Sequence, residues 1–69
     1  MNKKLTASVM SLYGECAQKD GSIVIPEKYK PILGILETVL KIVKIFVNDK
    51  IDAIIDKILE AIDIAQAEL

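Results

Sequence analysis

The stretch KIVKIFVNDKIDAII, residues 41–55, decides the fold of this chain. It can be read as two strands joined by a tight turn at Asn48-Asp49, as one continuous helix, or as two helices that meet at those residues. Asn and Asp are poor residues for a helix interior but good N-cap residues, and Asp52 suits the positive first turn of a new helix. We therefore predict a break at Asn48-Asp49 and an antiparallel helical return, with a bent continuous helix as the alternative.

The residues on both sides of this break have helical periodicity. Between Ile32 and Val47 the polar residues form a narrow stripe at steps of three and four, which predicts a helix buried on most of its circumference. From Ile51 onward an apolar stripe lies opposite an acidic one. We interpret the acidic stripe as the solvent-exposed face of an amphipathic helix. Its members are Asp52, Asp56, Glu60 and Asp63.

The first half of the chain predicts one more helix and a short extended segment. Apolar residues recur at helical intervals from Leu5 to Ala17, and Gly21 accepts the left-handed conformation that follows helix ends. Branched residues before Pro26 favour extended backbone, and Pro31 suits a first helical turn. The predicted fold is an all-α bundle of about three helices with an extended segment near residues 22–26, forming a single small domain over residues 1–69.

The composition predicts more apolar surface than this chain can cover alone. Of the 69 residues, 52% are hydrophobic, and twelve of these are isoleucine. A chain this short hides only about 60% of its unfolded surface on folding, so the excess must face a copy, another protein or lipid. The residues predicted for this interface are Ile35, Val39, Ile42, Val43, Phe46, Ile51, Ile55, Ile58 and Ile62.

The charges and the cysteine content indicate how the protein would associate and in which compartment it would lie. The net charge of −1 divides into +3 over residues 1–50 (eight Lys, five acids) and −4 over residues 51–69 (one Lys, five acids), which would bias the orientation of association. The single Cys16 excludes an internal disulfide and fits a reducing compartment. The start of the chain is too polar for a leader, so we expect a cytoplasmic or particle-bound protein that is not secreted. Abundant Lys and Ile without Arg indicate an AT-rich coding sequence, and together with the short length they lead us to expect a phage or plasmid accessory protein.

The same composition argues against catalysis and metal binding. The chain has no histidine to activate Cys16 as a nucleophile. Acidic residues on solvent-exposed helix faces do not acquire the raised pKa of a general acid. Neither a zinc-binding His/Cys cluster nor a glycine-containing calcium loop is present. We expect no enzymatic activity, no cofactor, no metal and no small-molecule substrate.

One motif suggests that the protein binds nucleic acid. GSIVIPEKYKPILGI, residues 21–35, presents a glycine, a branched strand, "IP", a short basic helix and "LGI" in that order. In this it resembles the AbrB/MazE-type swapped-hairpin DNA-binding domains, and KIFVNDKI would correspond to their next strand-turn-strand. The resemblance implies a dimer that binds DNA through Lys28 and Lys30. The chain departs from that family in lacking arginine and in its negative net charge.

The main hypothesis is a non-enzymatic interaction or structural subunit that self-associates or docks on a partner through an Ile-rich helical surface. The first alternative is the DNA-binding dimer. The second is a membrane-surface-active helix, although only Lys41 and Lys44 supply cations beside the apolar residues. A transmembrane span would need about 20 apolar residues in succession, and none is expected.

Overall fold

The computed structural model describes residues 3–68 and shows three packed helices. Helix α1 spans Lys3–Cys16, α2 spans Leu33–Val43 and α3 spans Asp49–Ala67. Two short 3-10 helices, Glu27–Ile32 and Lys44–Phe46, flank α2. The predicted all-α bundle of about three helices is confirmed. The strands implied by the AbrB/MazE resemblance are not formed in the described range, where the only pairing of extended residues is a single bridge between Ala17 and Ile23.

The chain breaks at Asn48, as predicted. After the 3-10 turn Lys44–Phe46, the backbones of Val47 and Asn48 are extended, with ψ of 165° and 172°. The Asn48 side chain then caps α3 by accepting a hydrogen bond from the Ile51 backbone N–H at 3.0 Å. Asp49 and Asp52 place negative charge in the first turn of α3, where the helix dipole is positive. A bent continuous helix is therefore not what forms.

Helix α3 returns antiparallel to α2. Lys44, just after α2, forms an ion pair with Asp56 and lies 3.7 Å from Asp52, both near the start of α3. Glu37, near the start of α2, accepts a hydrogen bond at 3.4 Å from Gln66, near the end of α3. Earlier residues of one helix thus contact later residues of the other, which is the geometry of a helical hairpin.

A hydrogen-bonded turn joins α1 to the extended segment. Gly21 has a φ of +89°, which glycine adopts without steric cost. The Asp20 carboxylate accepts hydrogen bonds from the Ser22 hydroxyl at 2.7 Å and the Ser22 backbone N–H at 3.0 Å. These two bonds lower the pKa of Asp20. Val24 N–H donates to the Cys16 carbonyl at 2.9 Å and fixes the segment against the end of α1.

The core lies where α3 packs between α1 and α2. Its centre consists of Ile55, Ile58, Ile62 and Cys16, none of which is exposed to solvent. Burying each such isoleucine stabilises the fold by roughly 1.5–3 kcal/mol. Ile25 of the extended segment joins this core, whereas the adjacent Val24 points to solvent. That alternation confirms the extended conformation predicted near residues 22–26.

One prediction about α2 is wrong. The helix is not buried on most of its circumference, because only Leu33, Leu40 and Val43 of α2 are buried and Leu36 is packed against them in part. A bundle of three helices offers α2 neighbours on one side only, so the remaining apolar side chains stay open to solvent. This exposed side of α2 is the feature that a function must explain.

Candidate interaction surface

The nine predicted interface residues divide into two groups. Five of them form part of the core of the chain itself: Val43, Ile51, Ile55, Ile58 and Ile62. The physical reason is that these side chains of the α3 apolar stripe, with Val43, hold α1 and α2 together and are buried inside the chain. For these five the surface assignment is corrected. The other four, Ile35, Val39, Ile42 and Phe46, are exposed.

Helix α2 and its flanking turns carry two apolar faces with the same spacing. The inner face packs on the core and consists of Leu33, Leu36, Leu40, Val43 and Val47. The outer face is open to solvent and consists of Ile32, Ile35, Val39, Ile42 and Phe46. Each outer residue directly precedes an inner one, so the two faces lie about 100° apart around the helix. Both follow the alternating steps of three and four that are typical of helix–helix contacts.

The outer face is extensively exposed. Ile35 is 65% exposed and Ile42 is 53% exposed, and Ile45 beside them is the most exposed large apolar residue of the described range at 77%. The outer face and Ile45 together leave on the order of 600 Å² of apolar surface in water, the upper end for the largest patch on a typical monomer. Residue-by-residue reading of the sequence missed Ile32 and Ile45. The paired spacing of inner and outer residues is the signal that could have found Ile32, whereas Ile45 lies outside that spacing.

The polar residues beside the outer face are already engaged within the chain. Lys41 pairs with Glu37 at 3.1 Å. Lys44 is held by the acids at the start of α3, and its hydrogen bond with Asp56 is the main cause of the raised pKa of the Lys44 ammonium. The Thr38 hydroxyl donates to the Gly34 carbonyl at 3.0 Å. The outer face is therefore an uncharged apolar strip. The polar side chains at its border are already hydrogen-bonded or ion-paired within the chain.

The two lysines that the DNA-binding resemblance singled out are also engaged. Lys30 pairs with Glu27 at 3.0 Å. Lys28 donates to the Glu15 carboxylate at 2.9 Å, and the Tyr29 hydroxyl donates to the same carboxylate at 2.6 Å. These bonds, with that of Tyr29 the stronger influence, lower the pKa of Glu15. This cluster ties the 3-10 turn Glu27–Ile32 to α1 and is a structural tether.

Outside the outer face, the described residues include one buried thiol and a shallow hollow. Burial is the main cause of the raised pKa of the Cys16 thiol, which opposes formation of the thiolate. A hollow of about 360 Å³ lies between the extended segment and α3, with Ile23, Ala61 and Ile64 among its walls. Within residues 3–68 no group of acids, Cys or His is arranged to hold a metal ion. Nor is any helix there both long enough and apolar enough to cross a membrane.

No protein-family model, curated protein or solved structure matches this chain.

Proposed function

We propose that this protein is a non-enzymatic interaction subunit that binds an apolar protein surface, on a copy of itself or on another protein, through the outer face of α2. The observation that carries the proposal is the row of apolar side chains at helix-contact spacing that stays exposed although the core is complete. Burial of such a row is what drives most protein association. The mechanism is docking of a helix against a matching apolar groove or helix.

The border of the outer face supports a protein partner over a lipid surface. Helices that lie on membranes usually present many cations opposite or beside the apolar residues. Here both nearby lysines, Lys41 and Lys44, form ion pairs with acids of the same chain. An uncharged apolar centre with a polar border is instead the usual composition of a protein interface.

The proposal extends to the setting of the protein. A Lys- and Ile-rich chain without arginine fits an accessory component of a phage or plasmid system, working in the cytoplasm or inside an assembled particle. The single buried Cys16 is compatible with a reducing compartment.

The test compares two isoleucine-to-aspartate variants of similar exposure. Ile42 on the outer face is 53% exposed, and Ile64 on α3 is 58% exposed. Ile64 lines the hollow beside the extended segment, together with Tyr13 of α1. Ile42→Asp should abolish binding of a dye specific for exposed apolar surface, or abolish association seen by light scattering. Ile64→Asp should change neither by more than a small fraction.

Circular dichroism shows whether both variants keep the helicity of the wild type. Since both side chains lie outside the core, we expect unchanged spectra. The proposal is contradicted by a wild-type protein that stays monomeric at high micromolar concentration and binds no such dye. Equal effects of Ile42→Asp and Ile64→Asp would also contradict it, because the outer face would then have no special role.

A further inference from the structure

We infer that the outer face of α2 is covered by the outer face of a second copy, packed antiparallel about a two-fold axis. In this arrangement Ile35 packs against the partner subunit's Phe46, and Val39 packs against the partner subunit's Ile42. The inference rests on the proposed function and commits it to one occupant. Four observations carry it: the spacing, the area, the residue sizes and the residue types of the outer face.

The spacing and area of the outer face suit a symmetric pair of helices. Steps of three and four are those of residues that alternate across a two-helix contact, and a two-fold dimer uses the same patch on both subunits. A pair that covers Ile32 and Ile45 together with the four residues of the layers would bury on the order of 1,200 Å² in total, which meets the lower limit of specific interfaces. The outer face thus matches a second outer face in both period and extent.

The sizes of the side chains favour the antiparallel direction. Antiparallel pairing about an axis between Leu40 and Lys41 gives four layers, each combining isoleucine with either valine or phenylalanine. Parallel pairing would instead place the two Phe46 rings together at one end and two small Val39 side chains together in the middle. Since interiors pack at nearly uniform density, the parallel layers would leave gaps at Val39 or clashes at Phe46.

The residue types and the backbone point the same way. Isoleucine occupies both alternating positions of the outer face, at Ile32 and at Ile35 with Ile42, a choice that disfavours parallel two-stranded contacts. Antiparallel helices also place opposite ends of their macrodipoles together, which is the favourable arrangement. Ile35, Ile42 and the macrodipole belong to the eleven-residue helix Leu33–Val43, and Ile32 ends the 3-10 turn that precedes it.

Cysteine cross-linking distinguishes the two directions. Residues 35 and 46 are eleven positions apart, or roughly 16 Å along a helix axis. In the antiparallel dimer, Ile35→Cys should form a disulfide with Phe46→Cys when the two variants are mixed, and neither variant should cross-link with itself beyond about a tenth of that yield. Wild-type protein is the blank, because its Cys16 is buried. Ile64→Cys is the matched control for random collision of exposed thiols.

The outcomes separate this inference from the proposed function. Self-linking of Ile35→Cys and of Phe46→Cys, each as strong as the mixed reaction, would overturn the antiparallel direction and leave the proposed function intact. A wild-type monomer that binds apolar dye would overturn the second copy as occupant and leave docking on another protein. A monomer that binds no dye would overturn both. Mixed linking above the Ile64→Cys background, with a dimeric mass by light scattering, supports the inference.

Discussion

Replacing Asn48 with alanine tests the break that creates α2 and α3 as separate helices. In the structure the Asn48 side chain accepts the Ile51 N–H at 3.0 Å, so Asn48→Ala leaves that N–H without its cap. Loss of an N-cap of this kind costs about 1 kcal/mol, within a range of roughly 0.5–2 kcal/mol. In a domain of this size that corresponds to a decrease in Tm of about 4–8 °C.

The sign of the change in the free energy of unfolding distinguishes a capped break at Asn48 from a continuous helix. If residues 41–55 formed one continuous helix in solution, Asn48 would be an interior residue, and alanine would raise the free energy of unfolding by up to about 0.7 kcal/mol because it is the better helix former. The measurement is urea unfolding followed by circular dichroism at one fixed protein concentration, with an unchanged m-value as the check on two-state behaviour. Asn48→Asp is the control, since it keeps a capping oxygen and adds favourable charge at the helix start. An Asn48→Ala protein as stable as the wild type would refute the capped break.

Three further predictions follow from the core, the tether and the turn. Ile58→Ala should cost about 2–5 kcal/mol through lost burial and a cavity, enough to remove most of the helical circular dichroism signal of so small a domain; retained helicity would contradict the core assignment. Tyr29→Phe should lower the urea midpoint at neutral pH. The pKa of Glu15 is lowered from 4.5 in the folded chain. The stabilisation by the Glu15 carboxylate is therefore full above that value and is lost as pH falls through the folded pKa. The difference in urea midpoint between the wild type and Tyr29→Phe should shrink over that pH range, and a constant difference would contradict the assignment. Gly21→Ala should destabilise by about 1–2 kcal/mol, measured by urea unfolding; the position has a φ of +89° and open space around it, so strain in the backbone is the only cause.

The local features of the fold could be predicted from the sequence because each depends on few residues. Asn48 caps because its side chain reaches back to a nearby N–H, Gly21 turns because it has no Cβ, and the residue before Pro26 is held extended by the proline ring. These are short-range effects of covalent geometry and hydrogen bonding. The cap is confirmed at Asn48 and the positive φ at Gly21, although Gly21 lies in the turn that follows α1 and not at Cys16, where that helix ends.

The orientation of α2 could not be predicted in the same way. Leu33, Leu40 and Val43 repeat at the same period as Ile32, Val39 and Ile42, one position later along the chain. Both faces are apolar, so periodicity alone does not show which of them packs on α3. The choice depends on long-range contacts such as Lys44 with Asp56 and Glu37 with Gln66. Periodicity without those contacts predicts a helix buried on most of its circumference, and it assigns to an interface residues of the α3 stripe that form the core.

The outer face contributes less to the stability of the single chain than the core does. About half of each outer side chain stays in contact with water, and that half gains nothing from folding. Nor do these residues help as helix formers: isoleucine and valine lose rotamer freedom in a helix, and alanine, lysine or glutamate would favour α2 more strongly at exposed positions. Residues such as Ile35, Val39 and Ile42 therefore weaken α2 slightly and lower solubility when the chain is alone. Their presence at helix-contact spacing is accounted for physically only when another apolar surface covers them.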